Sequence, residues 1–390
     1  LKPDYCIENS SGIDVLISGE GEEISPRVVK AFDTNDFALL SQSPGVIYRK
    51  SRDADYTRNK GFIIVDIQKL GKLAYPDWSL LEGNPASRIF RIMTTRGCGF
   101  KCSFCVPSHM CGHRVRVYEE DLVIDMIQQV KDNFQARSYI IGDLTFFFHQ
   151  EHSRNILKRI AGAEINLPFW CQTHLSRINS ENLDLLKKAG CSQLAVGIES
   201  INPSILENIN KGIDSREIVE KLLLVKRYGI EVQTYFIIGL PGDDMETINL
   251  NKNFIKYGIS NGYIDRTHIG VYVPYPGVEI GSDIHIESSD YSYYTQGVFR
   301  DIPTTPVFSN EKLSQEDVSQ AYRDCLGDVA KALSIVKEAH ETEPHRQDQS
   351  IVLGAEALYV SRIINNAART NQNRRSVFNI VQGIKKSQHS

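Results

Sequence analysis

The chain has 390 residues, 41% of them apolar and 24% charged, with a net charge of −4. That balance fits a water-facing globular protein with a sizeable core; it offers no basic field to gather nucleic acid, and no run of about eighteen apolar residues to span a membrane. Three of the eight cysteines fall between positions 98 and 105 and the others are scattered, so a reduced, cytoplasmic setting with one metal-binding loop is expected rather than a secreted disulfide scaffold.

The start, Leu1-Lys2-Pro3-Asp4, is neither a secretory signal nor a Met start, and the natural protein is expected to extend upstream. Residues 1–87 read as a short mixed α/β segment. Asp14-Val15-Leu16-Ile17-Ser18 predicts a strand running into a turn at Gly19-Glu20-Gly21-Glu22, and residues 61–67 predict another strand. Residues 75–85, with Pro76 and Pro85, read as a linker.

From residue 88 to 280 the pattern is regular. Apolar runs predict strands over 89–94, 138–142, 168–173, 193–198, 231–238 and 267–273. Amphipathic spacing predicts helices between them, over 118–133, 153–163, 179–190, 214–228 and 246–258. Six strands alternating with helices imply a parallel sheet with right-handed crossovers, a partial (β/α)6 TIM-like barrel open on one side. Chemistry in such a sheet belongs at the C-terminal strand ends. Residues 281–390 lose the rhythm and read as a mostly helical extension, with helices over 314–340 and 350–369. From Ala357 onward the extension carries Arg362, Arg369, Arg374, Arg375, Lys385 and Lys386 and no acidic residue.

After the first barrel strand comes Arg96-Gly97-Cys98-Gly99-Phe100-Lys101-Cys102-Ser103-Phe104-Cys105. Iron–sulfur clusters are normally held by four thiolates. Three in one C-x3-C-x2-C loop leave one iron of a 4Fe–4S cube free for a chelating substrate, and Gly97 and Gly99 let the backbone fold tightly around it. A structural zinc site with Cys111 as fourth ligand is the plainer alternative, but such sites favour paired knuckles and no second pair is present.

This loop, with Phe104 before its third cysteine and a β/α series behind it, resembles the signature of the radical S-adenosylmethionine (SAM) superfamily. The resemblance implies that Cys98, Cys102 and Cys105 ligate a 4Fe–4S cluster whose open iron binds the SAM amino and carboxylate groups. Reductive cleavage of the S–C5′ bond would then give methionine and a 5′-deoxyadenosyl radical. It further implies that Phe104 packs near the adenine, and that Asp143, ending the second strand, meets the SAM ammonium. Glu199 and Ser200, in the fourth-strand run Gly197-Ile198-Glu199-Ser200, are implied to contact SAM. Ile238 and Gly239, and backbone near Val273, are implied to approach the adenine.

On the third strand, alternation sends Trp170, Gln172 and His174 to one face and Phe169, Cys171 and Thr173 to the other, so Gln172 and His174 are candidates for SAM or substrate. Arg116, with Arg114, follows the loop and can hold a carboxylate bidentately or sit in a salt bridge. For each of these residues a purely structural role stays open, as core aromatic, helix cap, turn or ion pair.

A narrower resemblance adds the N-terminal residues. Asp14 through Glu22 looks like the run that closes the cobalamin-binding domain of cobalamin-type radical SAM proteins, a group of methyltransferases and ring-forming enzymes. The order of Asp143-Leu144-Thr145-Phe146, Gly197-Ile198-Glu199-Ser200 and Pro274-Tyr275-Pro276-Gly277 looks like the same group. A corrin-holding domain needs a doubly wound sheet of about a hundred residues. Residues 1–87 are too few, so this chain is not expected to bind cobalamin tightly, although a longer natural chain could.

Methylation or another hydrogen-abstraction reaction on a small molecule or natural product is therefore expected, with an external one-electron donor such as a flavodoxin or ferredoxin. Two other readings stay open: a methylthiotransferase-like RNA modifier, echoed by Cys105-Val106-Pro107 and Arg114-Val115-Arg116, and a non-catalytic iron–sulfur or zinc protein.

Overall fold

A computed structural model describes residues 3–8, 12–67, 76–80, 90–279, 281–287 and 306–342 of the chain. The helix expected over 350–369, the basic tail and much of the linker lie outside the described residues.

The N-terminal segment forms a three-stranded antiparallel sheet, β1 (Val15–Ile17), β2 (Val46–Tyr48) and β3 (Thr57–Arg58), in the order β1-β2-β3. The helix Ser25–Thr34 packs on it, and Ile24, Ala31, Phe37, Leu40, Val46 and Tyr48 make a small core of their own. Sequence pattern finds β1 but not β2 or β3, and it misreads 61–67. That stretch touches the sheet through a single parallel bridge between Gly19 and Ile63. Its Val65 amide is taken by the Glu20 carboxylate at 2.7 Å instead of by a ladder partner. Its burial does alternate, with Val65 and Ile67 buried and Ile64 exposed, so the period is present although the ladder is not.

The barrel strands are β4 (Phe90–Ile92), β7 (Tyr139–Ile141), β8 (Phe169–His174), β9 (Cys191–Glu199), β10 (Glu231–Ile238) and β11 (Arg266–Val271). A short antiparallel hairpin, β5 (Thr95–Arg96) and β6 (Arg116–Val117), brackets the cysteine loop. The six strands pair in parallel in the order β11-β10-β9-β8-β7-β4, which is the expected partial barrel.

Local chemistry explains the boundaries of its helices. Asn179 caps Ser180–Lys188, and Asn202 caps the short helix that Pro203 opens. Asp244 and Thr247 form a reciprocal capping box on Met245–Ser260. Strand faces separate cleanly: in β10, Val232, Thr234, Phe236 and Ile238 are buried toward the helices, while Gln233, Tyr235 and Ile237 are half-buried on the other face.

The C-terminal segment is not a separate body. The pair β12 (Ile284–Ile286) and β13 (Phe308–Asn310) is antiparallel. Phe308 and the helix Gln315–Thr342, through Val318, Ala321, Tyr322 and Cys325, join the barrel's own core. At roughly 1.5–3 kcal/mol for each buried large apolar side chain, this shared core far outweighs the small N-terminal one. The N-terminal segment therefore depends on its seam with the barrel.

That seam is ionic. Both Arg116 terminal nitrogens donate to the Glu20 carboxylate, each at 2.6 Å, and one also donates to the Val65 carbonyl. Arg96 pairs with Glu22 at 2.5 Å. The Gly-Glu-Gly-Glu turn thus clamps the hairpin that carries the cysteine loop. β1 lies at the end of its sheet, while Glu20 and Glu22 bind the barrel.

Candidate active site

The cysteine loop lies between β5 and β6. Cys98 and Cys102 are buried and Cys105 is half-buried. Gly97 has φ +96, a conformation L side chains avoid, and a Cβ there would land on the Arg114 carbonyl oxygen across the hairpin. At Gly99 a Cβ would meet the ring of Phe148. The loop is pinned to the segment after β9: Ser103 N–H donates to the Ile209 carbonyl at 3.0 Å, and the Asn210 amide donates to the Lys101 carbonyl at 2.9 Å. Two histidines hold its far side, His109 Nδ1 at 2.9 Å from the Cys105 carbonyl and His113 Nδ1 at 3.1 Å from that of Phe100.

The donor set suits an iron–sulfur cube. The three thiols lie within one another's electrostatic reach: burial, with smaller contributions from Cys98 and Cys105, pushes the Cys102 thiol up to about 11, and burial likewise raises Cys105. Thiolates buried this way need a cationic partner such as a cluster's irons. Among the described residues no group of three or more His, Cys, Asp or Glu is arranged to hold a metal ion. A cube asks for a different arrangement from a mononuclear site, because each thiolate holds its own corner iron.

Behind the loop stands a buried ion pair, Lys211 Nζ to Glu199 Oε1 at 2.7 Å. Glu199 ends β9 with φ +66, an uncommon conformation for a side-chain-bearing residue and one that concentrates at functional sites. Gly197 makes room for the pair: a Cβ there would collide with the Glu199 carboxylate and stand 2.9 Å from Lys211 Nζ. Burial works against the Lys211 charge, but Glu199 together with the nearby Cys102 and Cys105 keeps the ammonium's pKa above its usual value. Lys211 Nζ also stands 5.8 Å from the centroid of the Phe104 ring.

Several residues expected to touch SAM are already engaged by the protein. Asp143 is fully buried. Its Oδ1 accepts from the Thr94 and Thr95 amides at 2.7 and 3.0 Å, and its other oxygen accepts from the Thr94 hydroxyl. It positions the strand end that leads into the cysteine loop and shows no face to a ligand. His174 has both ring nitrogens occupied: the Ser176 amide donates to Nδ1, and Nε2 donates to the Lys211 carbonyl at 2.8 Å. Its ring stacks on Phe100 with centroids 4.1 Å apart. The Ser200 hydroxyl lies in a buried network with Asn251 and the Asn202 amide. Gly239 is closed off by Phe308, whose ring a Cβ would meet at 2.5 Å, and its amide goes to Asp243. Arg116 is committed to Glu20, so of its two expected roles the salt bridge is the one observed.

The other expected positions divide: Phe104 and Gln172 keep an accessible face, while the Ile238 and Val273 carbonyls are already used. Phe104 and Gln172 are half-buried, and Gln172 donates to the Leu144 carbonyl at 3.2 Å, leaving its own oxygen available. The Ile238 side chain is buried and its carbonyl accepts from Tyr272 N–H. Val273 is half-buried, its carbonyl accepting from Tyr275 N–H at 2.8 Å. Sequence reasoning missed Lys211, since a lysine twelve residues beyond Glu199, after a capped turn of helix, looks like any surface lysine. It also missed Thr94, Phe100 and Phe148, whose roles exist only in packing.

Two buried groups give the site opposite pH responses. Burial holds His174 down to about 4, against an ordinary 6.5. The unfolded chain protonates first, so this contribution is complete above about pH 6.5 and is lost as pH falls toward 4. Burial raises Asp143 to about 6 from 3.8, against the pull of its threonine hydrogen bonds. The unfolded chain ionises first, so stability on this account is full below about pH 4 and declines as pH rises to 6. Each effect is worth about 3 kcal/mol. Asp143→Asn is therefore expected to make unfolding free energy climb more steeply with pH between about 4 and 6, as read by urea denaturation. An unchanged slope would show that Asp143 is not the buried acid described.

Comparisons with known proteins agree with this geometry. Residues 92–254 match the radical SAM superfamily. An uncharacterized methyltransferase of Pyrococcus horikoshii is 25% identical over 285 residues, covering 71% of this chain and 59% of the relative. The bacteriochlorophyllide d C-12(1)-methyltransferase of Chlorobaculum tepidum is 22% identical, covering 70% of this chain and 59% of the relative. The chain thus spans less than two thirds of either protein. Among solved structures, the radical SAM methyltransferase TsrM from Kitasatospora setae, with cobalamin and a 4Fe–4S cluster bound, superposes with a TM-score of 0.62 at 15% identity. That likeness covers all of this chain and 80% of the other, and it speaks for the fold.

Proposed function

We propose that this chain, a member of the radical SAM superfamily through residues 92–254, is a radical SAM enzyme that methylates, or abstracts hydrogen from, a small-molecule substrate. The observation that carries the reading is the three-cysteine loop set over a strained, buried Glu199–Lys211 pair at the C-terminal end of a parallel barrel. The superfamily's 4Fe–4S cluster and SAM supply reductive cleavage of the S–C5′ bond to a 5′-deoxyadenosyl radical. The chain's own residues do the rest. Cys98, Cys102 and Cys105 hold the cluster, and Asp143 and His174 fix the backbone on either side of it. Glu199, Gln172 and Phe104 remain as the polar and aromatic surface for SAM. Arg91 and Tyr235, on open positions of β4 and β10, are suited to meet substrate on the barrel's inner side. A one-electron donor of the flavodoxin or ferredoxin class completes the reaction.

Methyl transfer draws support from the methyltransferases among the relatives. Cobalamin is a separate question for this chain. Its described N-terminal sheet is short and antiparallel, whereas a doubly wound nucleotide-type domain is built on parallel strands. Among the described residues no helix is long and apolar enough to cross a membrane.

The test is anaerobic reconstitution with iron, sulfide, dithionite and SAM, followed by mass analysis. 5′-Deoxyadenosine is expected, and S-adenosylhomocysteine alongside it marks methylation. Finding neither, from a protein with a full cluster, would remove the enzymatic reading. Hydroxocobalamin added to the same chain is expected to show no tight one-to-one spectral change.

A further inference from the structure

Lys211 does more than neutralise a buried carboxylate. Three observations place it under the cluster loop. Its Nζ sits 2.7 Å from Glu199 Oε1 and 5.8 Å from the Phe104 ring, one residue before Cys105. The two residues before it hold the loop from below through the Ile209 carbonyl and the Asn210 amide. Its own carbonyl is fixed by His174, which stacks on Phe100 inside the loop. The ammonium is thus tied to the cysteine loop by backbone contacts on both sides and has little freedom to move away.

The desolvation cost of a buried ion pair is barely repaid by its own attraction, so the pair is weak evidence of a purely stabilising role. Glu199 and Lys211 could be replaced by apolar residues with little loss of stability if packing were all that mattered. Their charges stand beside the loop: Lys211 Nζ is 2.7 Å from the Glu199 carboxylate and 5.8 Å from the ring of Phe104, the residue before Cys105. A fixed positive charge beside a redox centre favours its reduced form, because reduction adds negative charge in a low-dielectric setting.

We infer that Lys211 is a positioning residue for the cluster, a locked cation beneath the three-thiolate loop that holds the cluster's reduction potential up, with Glu199 setting how much of that charge the cluster feels. The inference rests on the radical SAM reading and gives the Lys211–Glu199 pair a task that SAM contact alone does not require.

The experiment is a redox titration of the reconstituted chain without SAM, following the reduced-cluster EPR signal. Lys211→Met is expected to lower the reduced-to-oxidised ratio at a fixed applied potential by about tenfold, equivalent to a midpoint shift of about 59 mV for one electron. Lys211→Arg, which keeps the charge, is expected to restore the wild-type midpoint. Glu199→Gln is expected to shift it the other way, because the ammonium is then uncompensated. If Lys211→Met fails to fold around an unpaired Glu199, the double variant Lys211→Met/Glu199→Gln carries the test, with a midpoint between wild type and the expected single-variant value. A midpoint unmoved in Lys211→Met or in the double variant, or moved in the same direction by Glu199→Gln, would overturn the inference and leave the enzymatic reading standing. A wild-type chain that assembles no 4Fe–4S cluster would overturn both.

Discussion

Alanine at Cys98, Cys102 or Cys105 is expected to reduce bound iron to background and to abolish SAM cleavage, while Cys111→Ala leaves both in place. The distinction follows from how the loop is built. Cys102 and Cys105 share one tight turn, closed at 3.1 Å by the Cys105 amide on the Cys102 carbonyl, and Cys98 stands four residues before it in the same loop. Cys111 follows the helix Val106–Met110, half-buried, with its amide returned to the Pro107 carbonyl; its surroundings include Arg116 and Glu20 of the N-terminal seam as well as Cys98 and Cys105, so what sets it apart is its place beyond the helix and not its distance from the other thiols. A cube held by three thiolates keeps one iron for SAM; a fourth thiolate would occupy that iron. Removing any of the three leaves two ligands, too few to retain a cluster against chelation. The measurement is iron and sulfide analysis with the visible spectrum of each reconstituted variant. Loss of metal in Cys111→Ala, with zinc in place of iron in the wild type, would return the site to a structural zinc reading.

Much of the barrel is legible in the sequence because its strands are buried on the helix side and its helices are amphipathic. The apolar run at 231–238 matches β10 residue for residue, and the run at 193–198 lies inside β9. The C-terminal helix expected over 314–340 is found over Gln315–Thr342. The N-terminal sheet is less legible because β2 and β3 are only three and two residues long, too short for a period to show. The site divides in the same way. Cysteine spacing is a local property, so the loop can be read directly. Whether a polar residue at a strand end faces a ligand or closes a hydrogen bond is decided by a distant partner: Thr94 for Asp143, Lys211 for His174, Asn251 for Ser200, Glu20 for Arg116. Spacing along the chain carries no record of those partners, and for the same reason Lys211 gives no signal.

Gly97→Ala is expected to lose the cluster and to destabilise the chain by about 3–5 kcal/mol, the range reserved for a specific steric or backbone fault, whereas Gly112→Ala costs about 1 kcal/mol and keeps the iron. Both glycines have positive φ, +96 at Gly97 and +58 at Gly112, but only the second lies in the left-handed region that L residues enter at modest cost. Their surroundings differ. A Cβ at Gly112 meets nothing within 4 Å, while one at Gly97 lands on the backbone carbonyl of Arg114 and stands 3.2 Å from Cys111 Cβ. That carbonyl cannot retreat cheaply. Arg96 pairs with Arg116 across the hairpin, and the Arg116 side chain is anchored to Glu20. Relief of the clash must open the hairpin where Cys98 leaves it, spreading the thiols and loosening the N-terminal clamp together. Thermal denaturation and iron content of the two variants, measured side by side, distinguish these causes. Equal losses would mean that the clash with the Arg114 carbonyl adds nothing, and a Gly97→Ala protein that melts with the wild type and keeps its iron would mean that the loop does not close against Arg114.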